Sequence, residues 1–161
     1  MFQGHKDFSV YEPAEAALLL GVNSNKIRRW LNGYKYVRDG TQIAQPPLWS
    51  PEYVDEEGFY LGFRDLIEIR FVEAFSRAGL NRRSIRHLLV KAKEWIGQDY
   101  PLSTSQFQTD GKTLFLEVWE DGEDIDQGRT IDLRDGQHAF RSFVKPSFKD
   151  LEFEAGSVSK W

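Results

Sequence analysis

Apolar residues recur at helical spacing in the middle of the chain. Between residues 63 and 78 they stand at positions 63, 66, 67, 71, 74, 75 and 78, a 3.6-residue period that Gly79 ends. Asn81 is suited to cap a further helix, whose inner face we expect to hold Ile85, Leu88, Leu89, Ala92 and Ile96. That helix extends no further than about Gly97, because Pro101 disfavours a helix in the residues before it. The pattern therefore predicts two consecutive amphipathic helices.

Two shorter helices are predicted nearer the N-terminus. Pro13 fits the first turn of a helix over residues 11–20, and Gly21 permits the left-handed conformation that ends one. Asn23 can then cap a second helix over residues 24–31. Two short helices joined by so tight a turn have the outline of a helix-turn-helix. Their predicted shared core is Ala17, Leu20, Val22, Ile27, Trp30 and Leu31.

Strands are predicted in two other stretches. Residues 34–60 contain Asp39-Gly40, a hairpin signal, and three prolines that exclude a helix, so a β-ribbon is expected. In the distal part, FQTDGKTLFLEVW predicts two strands about Asp110-Gly111, TIDL a third, and DLEFEAGSVSKW a fourth, with the acidic loop EDGEDIDQG between them. The predicted fold is α+β: four helices and a ribbon over residues 1–98, then a small antiparallel sheet over residues 99–161.

Charge is distributed unevenly along the chain. The net charge is −4, but residues 1–95 carry 14 basic and 12 acidic residues, a balance of +2, and residues 96–161 carry 7 and 13, a balance of −6. The two parts are therefore expected to face different partners, and the acidic, aromatic distal part is suited to a basic or protein partner.

Composition and motifs also limit the kinds of functional site that this chain can contain. The chain has no cysteine and three scattered histidines, so no metal site is expected. No apolar run approaches the ~20 residues of a membrane span, and we expect a cytoplasmic protein. Acidic pairs such as Glu56-Glu57 lie in polar loops, where solvent surrounds them. No serine belongs to a nucleophile motif, and the chain has no glycine-rich phosphate-binding loop. We expect neither catalysis nor a cofactor.

The second helix carries the first candidate residues for DNA binding. A helix-turn-helix reads bases with the exposed side of its second helix, where Asn can pair with adenine, Arg with guanine, and Lys or Ser with phosphate. The candidates here are Ser24, Asn25, Lys26, Arg28 and Arg29. A solvated outer face is the alternative interpretation of such cations.

Two further cationic groups accompany this helix. The ribbon interleaves cations with aromatic rings, as a wing lying along DNA would, although tyrosines in strands also serve as packing residues. The predicted helix after Asn81 begins with arginines, whose charges are unfavourable at the positive end of the helix dipole. A DNA phosphate bound there would make the arrangement favourable. In the alternative interpretation, the arginines are tolerated because salt screens the dipole. The residues concerned are Tyr34, Lys35, Tyr36 and Arg38 in the ribbon, and Arg82, Arg83 and Arg86 in the helix.

The order of these parts resembles a known family. YEPAEAALLLGVNSNKIRRW, a ribbon, and GFRDLIEIRFVEAFSRAGLNRRSIRHLL together resemble the MerR-type winged helix over residues 8–95, although Trp30-Leu31-Asn32-Gly33-Tyr34 differs from the tyrosine-rich run of MerR regulators. YKYVRDG, PPLW and YPLSTSQFQTDGKTLFLEV are similar to VapB-type antitoxins that pair a MerR-like domain with a small C-terminal helical domain.

The resemblance implies an antitoxin of a type II toxin-antitoxin system. Such a protein neutralises a PIN-type ribonuclease toxin and represses its own operon, so double-stranded DNA of the operator and the toxin are the implied partners. By matching positions, the recognition helix is residues 24–31, the wing residues 34–47, and a second phosphate-contacting element residues 77–87. The chain stops on an apolar Trp161 after a strand-like stretch, so we expect the C-terminal helical domain to lie beyond it.

Two other functions are compatible with the sequence. One is a stand-alone transcriptional regulator whose distal part binds an effector among Phe107, Phe115, Trp119, Phe140 and Phe143, although these aromatics suit a core as well. The other is a protein-interaction adaptor that keeps the winged-helix shape without DNA binding. No long dimerisation helix is visible, and a homodimer on a palindromic operator is expected to form through the distal sheet or the further domain.

Overall fold

The computed structural model describes residues 10–122 and 133–161, and it confirms a mixed α+β structure. The α-helices are α1 (Pro13–Leu20), α2 (Ser24–Asn32), α3 (Phe63–Ala78), α4 (Arg82–Ile96), α5 (Ser105–Glu120) and α6 (Leu133–Ala139). The strands are β1 (Tyr34–Arg38), β2 (Thr41–Gln45), β3 (Tyr53–Asp55), β4 (Gly58–Tyr60), β5 (Glu152–Glu154) and β6 (Ser157–Lys160). None of the helices in this part of the chain is long and apolar enough to cross a membrane.

The described residues group into two compact units. The first extends to Leu66 and the second begins at Ile67, so the division falls in the first turns of α3. The boundary predicted from the sequence, after residue 98, lies within the second unit.

The two short helices of the first unit form as predicted. The Gly21 backbone is left-handed at φ 67° and ends α1, and the Asn23 side chain caps α2 by accepting a hydrogen bond from the Asn25 amide at 2.8 Å. The buried core of this region consists of Ala16, Val22, Ile27, Trp30 and Leu31. Ala17 and Leu20, which were expected in this core, are only half-buried, and Ala16 is buried instead. The buried face of α1 is therefore rotated by about one residue from the predicted face.

The predicted ribbon consists of two separate hairpins. β1 pairs with β2 in an antiparallel register that sets Tyr36 opposite Ile43, and β3 pairs with β4. Asp39 and Gly40 both have positive φ, at 51° and 76°, as a two-residue hairpin turn of type I′ requires.

Aromatic packing forms the core of the second unit. α3 is buried along most of its length from Leu66 onward. Phe71 packs edge-on against Phe107 with ring centroids 5.2 Å apart, and Phe75 lies 6.2 Å from Phe115. α4 begins at its predicted cap, since the Asn81 side chain accepts from the Ser84 amide at 2.8 Å, and it ends at a left-handed Gly97.

The predicted strands about Asp110-Gly111 are wrong, because residues 105–120 form the single helix α5. The Thr104 hydroxyl caps it by accepting from the Phe107 amide at 3.2 Å. The buried residues of α5 recur at helical spacing and are Phe107, Gly111, Leu114, Phe115, Val118 and Trp119. Gly111 is not a turn residue here: a Cβ at that position would come within 3.0 Å of the Phe107 ring.

Of the other strands predicted in the distal sheet, only the one at the C-terminal end of the chain is confirmed. Leu133, the last residue of TIDL, begins α6, while residues 130–132 and most of the acidic loop (123–128) lie outside the described residues. A π-helical turn (Phe140–Val144) and a 3-10 turn (Lys145–Phe148) follow α6. DLEFEAGSVSKW contains a hairpin, β5–β6, where a single strand was expected. Of the aromatics considered for an effector pocket, Phe143 is exposed and the other four are buried.

Candidate nucleic-acid interface

Helix α2 has a sharply divided surface. Ile27, Trp30 and Leu31 are buried, whereas Asn25, Arg28 and Arg29 are exposed and Ser24 and Lys26 are half-buried. The apolar side chains recur at three- and four-residue spacing, which places them on one face of a helix and leaves the polar residues on the other. The structure therefore brings the five candidate residues of this helix to its outer side and first two turns.

Each cation of α2 is held by a neighbouring side chain. The ammonium group of Lys26 lies 5.7 Å from the centre of the Trp30 ring. The Arg28 guanidinium donates a hydrogen bond to the Ser24 hydroxyl at 3.2 Å. The Arg29 guanidinium lies over the Tyr34 ring at 4.3 Å. Attraction between a cation and the face of an aromatic ring restrains both side chains without neutralising the charge. Neighbouring side chains thus position all three cations.

The β1–β2 hairpin carries two tyrosines and Arg38 on one face of β1 and Lys35 on the other, because side chains alternate along a strand. Lys35 and Arg38 are exposed, while Tyr34 and Tyr36 are half-buried with ring centroids 6.0 Å apart. The tyrosines therefore act at least in part as packing residues, and Tyr34 also supports Arg29. Gly33 joins this hairpin to α2 at a positive φ of 74°, and a side chain there would collide with the Gln45 backbone.

Charge of one sign is concentrated in this stretch of the first unit. From residue 16 to residue 38 the chain carries five cations and no carboxylate, and the next acidic residue is Asp39 in the hairpin turn. The cations are Lys26, Arg28, Arg29, Lys35 and Arg38. We call these five residues the α2–hairpin cations. Clustered Lys and Arg side chains provide the sequence-independent attraction to phosphate on which DNA binding depends.

A buried carboxylate, Asp65, joins the segment between the two hairpins to the start of α3. Its side chain accepts hydrogen bonds from the Trp49 indole and the Glu52 amide, both at 2.8 Å, and from the Gly62 amide at 2.9 Å. Burial outweighs these hydrogen bonds and raises the pKa of Asp65 from 3.8 to about 6. Asp65 stands three residues after Gly62, where an acidic side chain satisfies the free amides at a helix start.

Glu52 provides a second anchor at the start of α3. One of its carboxylate oxygens accepts from the Arg64 amide at 2.8 Å, and the other accepts from the Arg64 guanidinium at 3.1 and 3.2 Å. Sequence reasoning missed both carboxylates. An acidic residue in the first turn of a predicted helix was the available signal for Asp65, whereas Glu52 gives none, because its partner lies 12 residues away.

The arginines at the start of α4 belong to the second compact unit. Arg83 is exposed, and Arg82 and Arg86 are half-buried. Each of the three takes part in at least one polar or electrostatic interaction, so none is an unengaged cation. His87, the last residue of the predicted phosphate-contacting element, has its ring nitrogen 3.8 Å from the Asp121 carboxylate. The cations further along α4, Lys91 and Lys93, form ion pairs with Glu117 and Asp99.

Comparisons with known proteins show the fold alone. No protein-family model and no curated protein matches the chain. Among solved structures, the crystal structure of Rv2018 from Mycobacterium tuberculosis is similar, with a TM-score of 0.59 and 19% sequence identity. The likeness covers 92% of this chain and 67% of that one. At this identity the likeness supports a shared architecture.

Proposed function

We propose that this chain is a DNA-binding antitoxin of a type II toxin-antitoxin system. In this proposal, a MerR-like winged helix-turn-helix binds the operator of its own operon and represses it. Helix α2 is the recognition helix, and the β1–β2 hairpin is the wing. The protein acts in the cytoplasm as a homodimer and also neutralises a PIN-type ribonuclease.

The α2–hairpin cations carry the DNA-binding part of the proposal. Five cations without an intervening carboxylate occupy a short helix and the hairpin that directly follows it. On α2 the charges stand on the outer side, and Arg28 and Arg29 are held by Ser24 and Tyr34. A helix of this length, entered through a tight turn, fits the major groove, and an adjacent hairpin can follow the backbone.

The antitoxin part depends on the sequence resemblance to VapB-type proteins. Its support in the chain is the acidic distal part, with a balance of −6 over residues 96–161, which suits a basic protein partner better than DNA. Co-expression with a PIN-type ribonuclease encoded beside the gene tests it. We expect a stable complex with suppressed ribonuclease activity, and free, active ribonuclease in the presence of this chain would contradict the proposal.

DNA binding is tested with a fragment from immediately upstream of the gene. We expect Arg28→Ala and Arg29→Ala each to weaken binding by about 1–3 kcal/mol, the usual cost of losing a base contact. Lys160→Ala is the matched control, because this exposed lysine lies at the end of β6. Unchanged binding by both arginine variants would show that α2 does not read the DNA.

A stand-alone regulator with an effector site is the second candidate. A cavity of about 590 Å³ in the second unit favours it, because this volume is typical of small-molecule sites. Without a toxin, the same α2 variants would lose DNA binding, whereas the ribonuclease experiment would give no complex.

A further inference from the structure

A cavity of about 590 Å³ lies in the second compact unit, between α5 and the segment that runs from α6 to Phe148. Gln108 and Lys112 line it from α5, where four-residue spacing places them on one face of the helix. Gln137 lines it from α6, and Arg141 and Lys145 line it from the turns that follow. The cavity thus has walls from two adjacent stretches of the chain.

The charge of this cavity is opposite to that of the surrounding sequence. Residues 96–161 carry a net charge of −6, yet the charged residues in the cavity wall are Lys112, Arg141 and Lys145, all cations. All three are exposed, and within residues 10–122 and 133–161 none of them forms an ion pair with a carboxylate. Three cations around one concavity attract an anion with two or more charges.

The backbone of the cavity wall brings two of these cations together. The amide of Lys145 donates to the Phe140 carbonyl, the five-residue hydrogen bond of a π-helix. This wide turn, Phe140–Val144, precedes the 3-10 turn at Lys145 and directs both Arg141 and Lys145 to the same wall. π-helical turns recur at functional sites because they change the direction of side chains within a helix.

The remaining wall is suited to a planar group. Phe140 and Phe148 line the cavity, and Phe148 is half-buried, stacked on Phe107 at 5.6 Å with an interplanar angle of 26°. The carboxamides of Gln108 and Gln137 provide both donors and acceptors. We propose that this cavity binds a nucleoside phosphate, with its phosphates on Lys112, Arg141 and Lys145 and its base against the phenylalanines and carboxamides.

Calorimetric titration of the full chain with ADP, pyrophosphate and adenosine tests the proposal. We expect ADP to bind most tightly, pyrophosphate more weakly and adenosine weakest, because only ADP meets both the cations and the rings. Arg141→Gln and Lys112→Gln should each weaken ADP binding about tenfold or more, the usual effect of losing a charge-assisted hydrogen bond. Lys160→Gln, at an exposed residue outside the cavity wall, should leave it unchanged.

Three results would overturn the proposal. They are absence of ADP binding at millimolar concentration, ADP affinity in the Arg141→Gln and Lys112→Gln variants equal to that of the wild type, and displacement of ADP by a short DNA duplex through the same residues. Amide NMR shifts of Gln108 and Gln137 on ADP addition locate the ligand in the wild-type chain, independently of any variant. The inference does not rest on DNA binding, so an Arg28→Ala/Arg29→Ala chain that fails to bind DNA should still bind ADP.

Discussion

The guanidinium of Arg29 lies over the ring of Tyr34, with 4.3 Å between the guanidinium carbon and the ring centre. Arg29 is in the last turn of α2 and Tyr34 opens β1, so this contact joins the proposed recognition helix to the proposed wing. If the arginine contacts DNA, the ring holds it in place before binding and reduces the entropy lost on complex formation.

Replacement of Tyr34 tests this support. We expect Tyr34→Leu to weaken binding to the upstream DNA by about 0.5–1 kcal/mol, because the ring face that attracts the guanidinium is lost. Tyr34→Phe keeps the ring and is expected to bind like the wild type in fluorescence anisotropy. Equal affinity of the leucine and phenylalanine variants would show that the contact has no role in binding.

Arg83 tests the proposed phosphate contact at the start of α4. Arg83→Ala should weaken binding to operator and unrelated DNA alike and lower the slope of affinity against salt by about 1, since phosphates carry no sequence information. Lys93→Ala, in the last turn of the same helix, is the control and should bind as the wild type does. A loss confined to one operator sequence would contradict the phosphate role.

Asp65 predicts a pH dependence of stability. Since burial raises its pKa from 3.8 to about 6, the folded chain holds this proton more tightly than the unfolded chain. Its stabilising contribution is therefore full below pH 3.8 and is lost as the pH rises through about 6, a change of about 3 kcal/mol.

Asp65→Asn cannot titrate at this position. The difference between the free energies of unfolding of the wild type and of this variant should therefore fall by about 3 kcal/mol as the pH rises through this range. Urea unfolding at a series of pH values measures it. A difference that stays constant with pH would show that the folded structure leaves the Asp65 proton unaffected.

Gly136 tests the packing of α6 on α5. A Cβ at this position would lie 2.7 Å from the Trp119 ring, which is buried. We therefore expect Gly136→Ala to lower the free energy of unfolding by about 1–3 kcal/mol, the usual cost of overpacking. Gln137→Ala, at the exposed next residue, should change it little. Equal stability of the two variants would mean that the helices approach less closely.

Local signals explain the parts of the fold that sequence reasoning predicted correctly. Asn23 and Asn81 cap the helices predicted to follow them, and both caps depend on residues two or three positions away. The turn at Asp39-Gly40 is equally local. The α2–hairpin cations could be found in the same way, because sequence spacing alone places them on the outer side of α2 and on the adjacent strand.

Competing or distant signals explain the parts of the fold and of the site that were not predicted correctly. Asp110-Gly111 indicated a hairpin, but the helical period from Phe107 to Trp119 and the Thr104 cap outweigh this signal. Glycine is needed at position 111 because a Cβ there would come too close to the Phe107 ring. The Asp65 anchor joins residues up to 16 positions apart, and no sequence pattern specifies such pairs. The cationic cavity depends on a π-helical turn, which has no sequence signature comparable to a cap.

The salt dependence of binding to the DNA upstream of the gene tests the central proposal most directly. If two copies of the α2–hairpin cations contact about six to ten phosphates, affinity should fall about a thousandfold or more between about 50 and 200 mM salt. Removing Arg28 and Arg29 together should make this decline shallower. An affinity that does not change with salt, or one that the double variant retains in full, would contradict DNA binding by α2 and favour a protein-interaction adaptor.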